Sequence, residues 1–310
     1  MRATGIGSMP GTDVDAVCRW IVDTFASDLL FIPELPARGA HAAMIGRTLG
    51  QLELPVDLHV GRWRAGAAQG LDQGRARSMF RQDLDAIEEA LHGEHTRLKQ
   101  QFVGPFTLAA SVETRTGQSL LSDHGAVRDV ASALAQVVAE HVRELARRFG
   151  HPPVIQIDEP SAPAVFGGRI KTASGYGRHR SVDAETVREL WGGIVKAVRD
   201  AGGEAVLHCC ADSVPVTLAQ QSGFGAIAFD LSLAKPHDEW ASAFESGLAP
   251  WVGSLDARAI EEFLGRLGFS LEALHEDLVL TPPCGLAYES DAQARETLSA
   301  VIGVRGSLSR

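Results

Sequence analysis

Along the chain, short runs of apolar residues alternate with longer stretches whose apolar positions recur every three to four residues. A short apolar run bounded by turn formers fits a strand buried on both faces, and the longer period fits a helix with one buried stripe. Strands are expected at 3–8, 29–33, 100–104, 154–158, 205–208, 226–230, 250–254 and 278–281. Helices are expected at 14–26, 74–92, 126–149, 184–201, 213–221, 237–246, 257–267 and 291–302. Asp183 and Asp256 stand just before two of these helices, where a carboxylate accepts hydrogen bonds from the first free backbone N–H groups. Strands that alternate with helices lie parallel, and eight of them predict an α/β protein built as a single (β/α)8 TIM barrel. No Pro/Gly/Ser-rich linker divides residues 1–310, so one domain is expected, with 52–73 left over as an extra hairpin or loop that covers one barrel face.

Composition narrows the partners. A formal net charge of −10 with no Lys/Arg run argues against binding a nucleic-acid backbone, which needs a basic surface. No apolar stretch reaches the ~18 residues that span a bilayer, and "MRATGIGSMPGTD" lacks the apolar centre of a signal peptide. A cytoplasmic protein that acts on small molecules or other proteins is expected. Four cysteines are too few for a disulfide scaffold in a chain this long, so they read as metal ligands, reactive thiols or packing. Cys18, within a helical period, reads as packing.

The chemistry should gather where barrels keep it, at the C-terminal ends of the strands. Ser8, Glu34, Asp158, Glu159, His208, Cys210, Asp230 and Cys284 all fall at or just past expected strand ends. In "AVLHCCAD" successive side chains point to opposite faces, so His208 and Cys210 share one face and Cys209 points away. Cys284 in "LTPPCGLA" follows two prolines that stiffen the backbone, and Gly285 permits a tight turn. One imidazole and two thiolates suit Zn²⁺, and three protein ligands leave a position open for chemistry. The close Cys-x₂-Cys pairs of a structural zinc ribbon are absent, as are His-Glu-x-x-His and Gly-x-Ser-x-Gly. "TGIGSMPG" lacks the spacing of a nucleotide loop. Asp230 reads equally as a fourth ligand or as a cap or salt-bridge partner near Lys235. Asp158 and Glu159 are adjacent, so only one can face the barrel axis, and the pattern leaves open which.

From "GIGSMPGT" to "PPCGLAYES", with His-x-Cys and the distal Cys-Gly-Leu as its specific part, the chain resembles the catalytic barrel of the cobalamin-independent methionine synthase family, in the superfamily of uroporphyrinogen decarboxylase. "GPFTLAAS" also resembles decarboxylase relatives and corrinoid-dependent thiol methyltransferases. The resemblance implies that His208, Cys210 and Cys284 are zinc ligands, with Asp230 where the family has a glutamate ligand. It implies that Ser8, Asp158 and Glu34 hold the amino-acid portion of homocysteine. Where the family has a folate-stacking tryptophan this chain has Ala109, Ala110 and Ser111, and near the family's catalytic histidine it presents Asp256. Asp158 and Asp256 are therefore the catalytic candidates. The expected activity is zinc-dependent methyl transfer to the thiol of homocysteine by a stand-alone core, with methyltetrahydrofolate or a methylated corrinoid protein as donor. The alternatives are a corrinoid-dependent methyltransferase for another thiol, a decarboxylase-like relative, and a zinc- or thiol-binding subunit without turnover.

Overall fold

A computed structural model describes residues 1–309. Its strands are β1 (Arg2–Ala3), β2 (Leu30–Phe31), β3 (Val56–His59), β4 (Arg62–Ala65), β5 (Leu98–Val103), β6 (Val154–Asp158), β7 (Glu204–Cys209), β8 (Ala226–Asp230), β9 (Ala249–Gly253) and β10 (Val279–Thr281). Eight of them form one parallel sheet in the order β1-β10-β9-β8-β7-β6-β5-β2, and β3 and β4 pair separately as an antiparallel hairpin. The sheet curls until its ends meet. Leu29 N donates to Ala3 O at 3.1 Å, Glu34 N to Gly7 O at 3.1 Å, and Met9 N to Glu34 O at 2.9 Å. The fold is a single (β/α)8 TIM barrel.

The helices are α1 (Val14–Thr24), α2 (Met44–Gln51), α3 (Leu71–Ala90), α4 (Pro105–Ser111), α5 (His124–Phe149), α6 (Ala162–Phe166), α7 (Ala184–Asp200), α8 (Val216–Gln221), α9 (Asp238–Glu245), α10 (Ala257–Arg266) and α11 (Asp291–Leu308). Asp13, Asp123, Asp183 and Asp256 cap α1, α5, α7 and α10 through their carboxylates, and Ser290 forms a capping box with Gln293 on α11. Each such cap typically contributes about 1 kcal/mol.

Strand alternation sorts the core into two layers. Ile155, Ile157, Leu207, Ile227, Phe229, Val252 and Leu280 face outward and pack with the helices. Val154, Val206, Ala226, Ala228, Trp251 and Val279 form a separate cluster inside the ring. Asp158 and His208 therefore inherit the inward face, two residues beyond Gln156 and Val206 respectively.

Two expectations need correction. The strand expected at 3–8 shrinks to β1, and beyond it only Ser8 pairs, in one bridge to Glu34. At Gly7 the backbone has φ 148°, and a Cβ there would sit 2.5 Å from the Gln101 side chain, so the chain leaves the strand at a position that only glycine fits. Three helices, α2, α4 and α6, were not expected. In α4 the first five residues are all buried, so no polar face exists to reveal a period. In α2 two glycines, Gly46 and Gly50, weaken the helical signal.

Candidate metal and thiol site

Three strand ends and the barrel closure build the site. β6 ends in Asp158, β7 carries His208 and leads directly to Cys210, and Cys284 follows β10 across Pro282 and Pro283. Ser8 and Glu34 meet across the closure of the barrel. One ligand atom from each of His208, Cys210 and Cys284 lies within 4.8 Å of the others. Cys209 is fully buried with its thiol pushed up to about 12, first by burial.

The two sulfurs of Cys210 and Cys284 share a hydrogen bond at 3.0 Å. That bond holds Cys284 down to about 6, against burial and with help from His208 and the Gly285 N–H, while it pushes Cys210 upward. His208 Nδ1 lies 2.8 Å from Asp158 Oδ1. The carboxylate accepts from that nitrogen, which leaves Nε2 as the lone-pair side of the ring. Nε2 is buried and has no hydrogen-bond partner. A buried, orphaned nitrogen beside two sulfurs, one of them biased to thiolate, is the donor set that a soft divalent metal satisfies. The residues fit Zn²⁺.

These groups open into a cavity of about 460 Å³. Ser8, Glu34, Asp158 and the three ligands form its polar side, and Pro36, Ala43, Met44, Ile45 and Tyr288 its apolar side. Tyr288 is fully exposed at the rim. Glu34 is buried and pushed up to about 7 by desolvation, with Arg47 pulling down and Asp158 pushing up. Arg47 Nε lies 3.7 Å from the Glu34 carboxylate.

The family model described as "Cobalamin-independent synthase, Catalytic domain" matches residues 86–306. The chain belongs to that family. No curated protein matches it in sequence. Among solved structures it is similar to a B12-independent methionine synthase from Shewanella sp. W3-18-1, solved in complex with selenomethionine, with TM-score 0.64, 13% identity, and coverage of 100% of this chain and 97% of that one. A methyltransferase from Methanosarcina mazei gives TM-score 0.62, 13% identity, and coverage of 100% and 94%. At such identity these two structures speak for the fold. Membership of that catalytic-domain family makes the protein a methyltransferase of the methionine synthase type.

Not every residue nominated from the sequence joins this synthase site. Asp256 caps α10, its Oδ1 accepting from Arg258 N at 2.9 Å and Ala259 N at 3.2 Å, and it does not line the cavity. An oxygen that satisfies free N–H groups at a helix start is held there, so the structure places Asp256 in a cap. Asp230 Oδ1 accepts from Ser232 N at 2.8 Å and Ser232 Oγ at 2.7 Å, and Asp230 stands outside the cluster of ligand atoms. Asp158 and Glu159 divide as alternation requires. Asp158 faces the cavity, and Glu159 accepts from Phe106 N, Thr107 N, Thr107 Oγ1 and Trp191 Nε1 on the helix side.

Sequence reasoning passed over Lys99, Gln101 and Gln156, which carry polar groups into the barrel interior. Their signal was polarity inside strand-like runs, three polar residues in a row in "KQQFV" and polarity at every second position in "VIQID". Lys99 is fully buried, and desolvation pulls it down to about 7 against Asp158 and Glu34.

A pH effect follows from Glu34. Its folded value, about 7, lies above the ordinary 4.5, so the folded state binds the proton more tightly than the unfolded chain does. That contribution is full below about 4.5 and is lost as pH rises through about 7. Urea titrations of metal-free protein from about pH 5 to 7.5 should show a negative contribution to the slope of stability that Glu34→Gln removes. Identical slopes in parent and variant would contradict it.

Proposed function

We propose that this protein transfers a methyl group to the thiol of homocysteine to give methionine, with Zn²⁺ held by His208, Cys210 and Cys284. One observation carries the reading: the three ligands share a cavity with two buried carboxylates, Glu34 and Asp158, and the hydroxyl of Ser8. That pairing suits a molecule with a thiol at one end and an ammonium and carboxylate at the other. The Shewanella methionine synthase, similar in fold, was solved with selenomethionine, a selenium counterpart of the product proposed for this chain.

When bound, zinc stabilises a thiolate at neutral pH, where a free thiol with a pKa near ~8.5 is mostly protonated. The chain's own residues do the rest. Glu34 and Asp158 hold the ammonium, and Ser8 donates its hydroxyl hydrogen to the carboxylate. Met44 and Ile45 cover the substrate's methylenes and keep water from the sulfur, which sharpens its charge. The sulfur then attacks the methyl carbon in line. A sulfur–carbon bond forms, the bond from carbon to the donor breaks, and its electron pair leaves with the donor.

The donor is methyltetrahydrofolate or a methylated corrinoid protein. The lining favours the second, because only Tyr288 is aromatic, and it stands exposed at the rim instead of walling a flat cleft. We read the enzyme as cytoplasmic, a reading that its four unpaired cysteines support.

Zinc-loaded protein given homocysteine and each donor in turn should form methionine, read by mass spectrometry. Homocysteine binding by calorimetry with no methionine from either donor would sink the catalytic reading in favour of a thiol-binding subunit.

Gly285→Ala separates substrate binding from metal binding. A Cβ there would come within 2.0 Å of Ser8 Oγ and turn that hydroxyl out of place. The expected result is unchanged zinc content with KM for homocysteine raised about tenfold, the size of one lost charge-assisted hydrogen bond. An unchanged KM removes Ser8 from the binding set.

A further inference from the structure

Barrels of this type usually fill their interior with branched apolar side chains. Here the layer above Val154 and Val206 is polar. Lys99 Nζ donates to Ile6 O at 2.7 Å and to Gln156 Oε1 at 2.8 Å. Gln156 Nε2 donates to Ile6 O at 2.9 Å and to Asp158 Oδ1 at 2.7 Å. Asp158 Oδ1 in turn faces His208 Nδ1 at 2.8 Å. Lys99 and Gln156 are both fully buried, and an ammonium without a carboxylate in contact is costly in such a place. Packing alone would not select these residues.

The chain of hydrogen bonds has only one direction. Ile6 O can only accept, so the amide atom beside it must be the nitrogen of Gln156. Lys99 reaches the other amide atom and donates to it, which requires the oxygen there. Two independent partners thus orient the same amide. Its N–H then points at Asp158, which as a carboxylate only accepts, so the ring nitrogen of His208 beside Asp158 must donate. The other ring nitrogen, Nε2, is left with its lone pair and no hydrogen-bond partner, on the residue that clusters with the two cysteines.

We propose that Lys99 and Gln156 are positioning residues for the metal centre: through Asp158 they hold His208 in the Nδ1–H tautomer and aim Nε2 at the metal. The assignment rests on the zinc reading above and deepens it. Neither residue touches the proposed substrate. Their effect is to remove the choice of tautomer and ring orientation that the imidazole would otherwise keep, as groups behind metal-bound histidines commonly do.

The test uses the full chain with Gln156→Met and Lys99→Met, which keep approximate length and remove the hydrogen bonds. Zinc affinity is measured by competition with a chromophoric chelator, and the His208 tautomer by nitrogen-15 NMR of metal-free protein. Gln156→Met should weaken zinc binding about tenfold or more and show a mixture of His208 tautomers where the parent shows Nδ1–H alone. Lys99→Met should move both readings the same way by a smaller factor. A defect that only loosened the fold would lower the unfolding midpoint without changing the tautomer. If Gln156→Met folds, keeps a single Nδ1–H tautomer and binds zinc within about twofold of the parent, the proposal is overturned, whatever becomes of Lys99→Met. A parent that binds no zinc sinks the functional reading instead, and the tautomer measurement still decides this one.

Discussion

His208→Ala is expected to abolish stable zinc binding and to lower methionine formation by more than about 100-fold, since even groups behind a metal ligand are commonly worth 10- to 100-fold. Removal of the ring takes away the one donor nitrogen of the set, and the two sulfurs that remain 3.0 Å apart cannot close a site alone. Cys284→Ser should follow in the same direction, because a hydroxyl is a poorer ligand than the thiolate that this position favours. Metal content by elemental analysis and methionine by mass spectrometry are the readouts. Asp158 keeps its hydrogen bond from Gln156 in His208→Ala, so the variant should still fold. Full zinc occupancy in His208→Ala would remove the centre from the mechanism.

The largest stability effect is expected from Glu159→Gln. The Glu159 carboxylate is fully buried and accepts four hydrogen bonds: Phe106 N and Trp191 Nε1 at 3.1 Å on Oε1, Thr107 N at 2.8 Å and Thr107 Oγ1 at 2.7 Å on Oε2. A glutamine amide has one oxygen. Whichever way it turns, its NH₂ faces two donors, at least one of which, a backbone or indole N–H, cannot reverse. Each buried donor left unsatisfied costs about 1–3 kcal/mol, so a loss of about 3 kcal/mol and several degrees in Tm is expected. Denaturant and thermal unfolding measure it, and a variant within about 0.5 kcal/mol of the parent would show that these bonds are replaced by others. The consequence reaches the site, because Glu159 ties the end of β6, next to Asp158, to α4 and α7.

The same stretch shows how far the sequence could be read. "VIQIDEP" announces a strand that ends in two carboxylates, yet alternation says only that they part, not which turns inward. Packing decides. Ile155 and Ile157 go to the helix layer with Trp191 and Phe106, and Glu159 follows them there. Asp256 shows the opposite case, since its position before a helical period already described the cap it makes. The α4 helix leaves no helical period to read, because its first five residues are all buried and present no polar face.

By itself the sequence determined the eight-strand alternation, most of the capped helices, and the pairing of His208 with Cys210 on one face and Cys209 on the other. These follow from local rules, the two-residue period of a strand and the free N–H groups of a helix start, which act over a few residues. Only the tertiary structure decided that Cys284 reaches Cys210 across 74 residues of chain, and that Lys99 and Gln156 stand behind Asp158. It also decided that Asp230 stays with Ser232. Those outcomes depend on how the barrel closes and on which buried polar groups find partners, and hydrogen bonds between distant strands leave no period in the sequence to read.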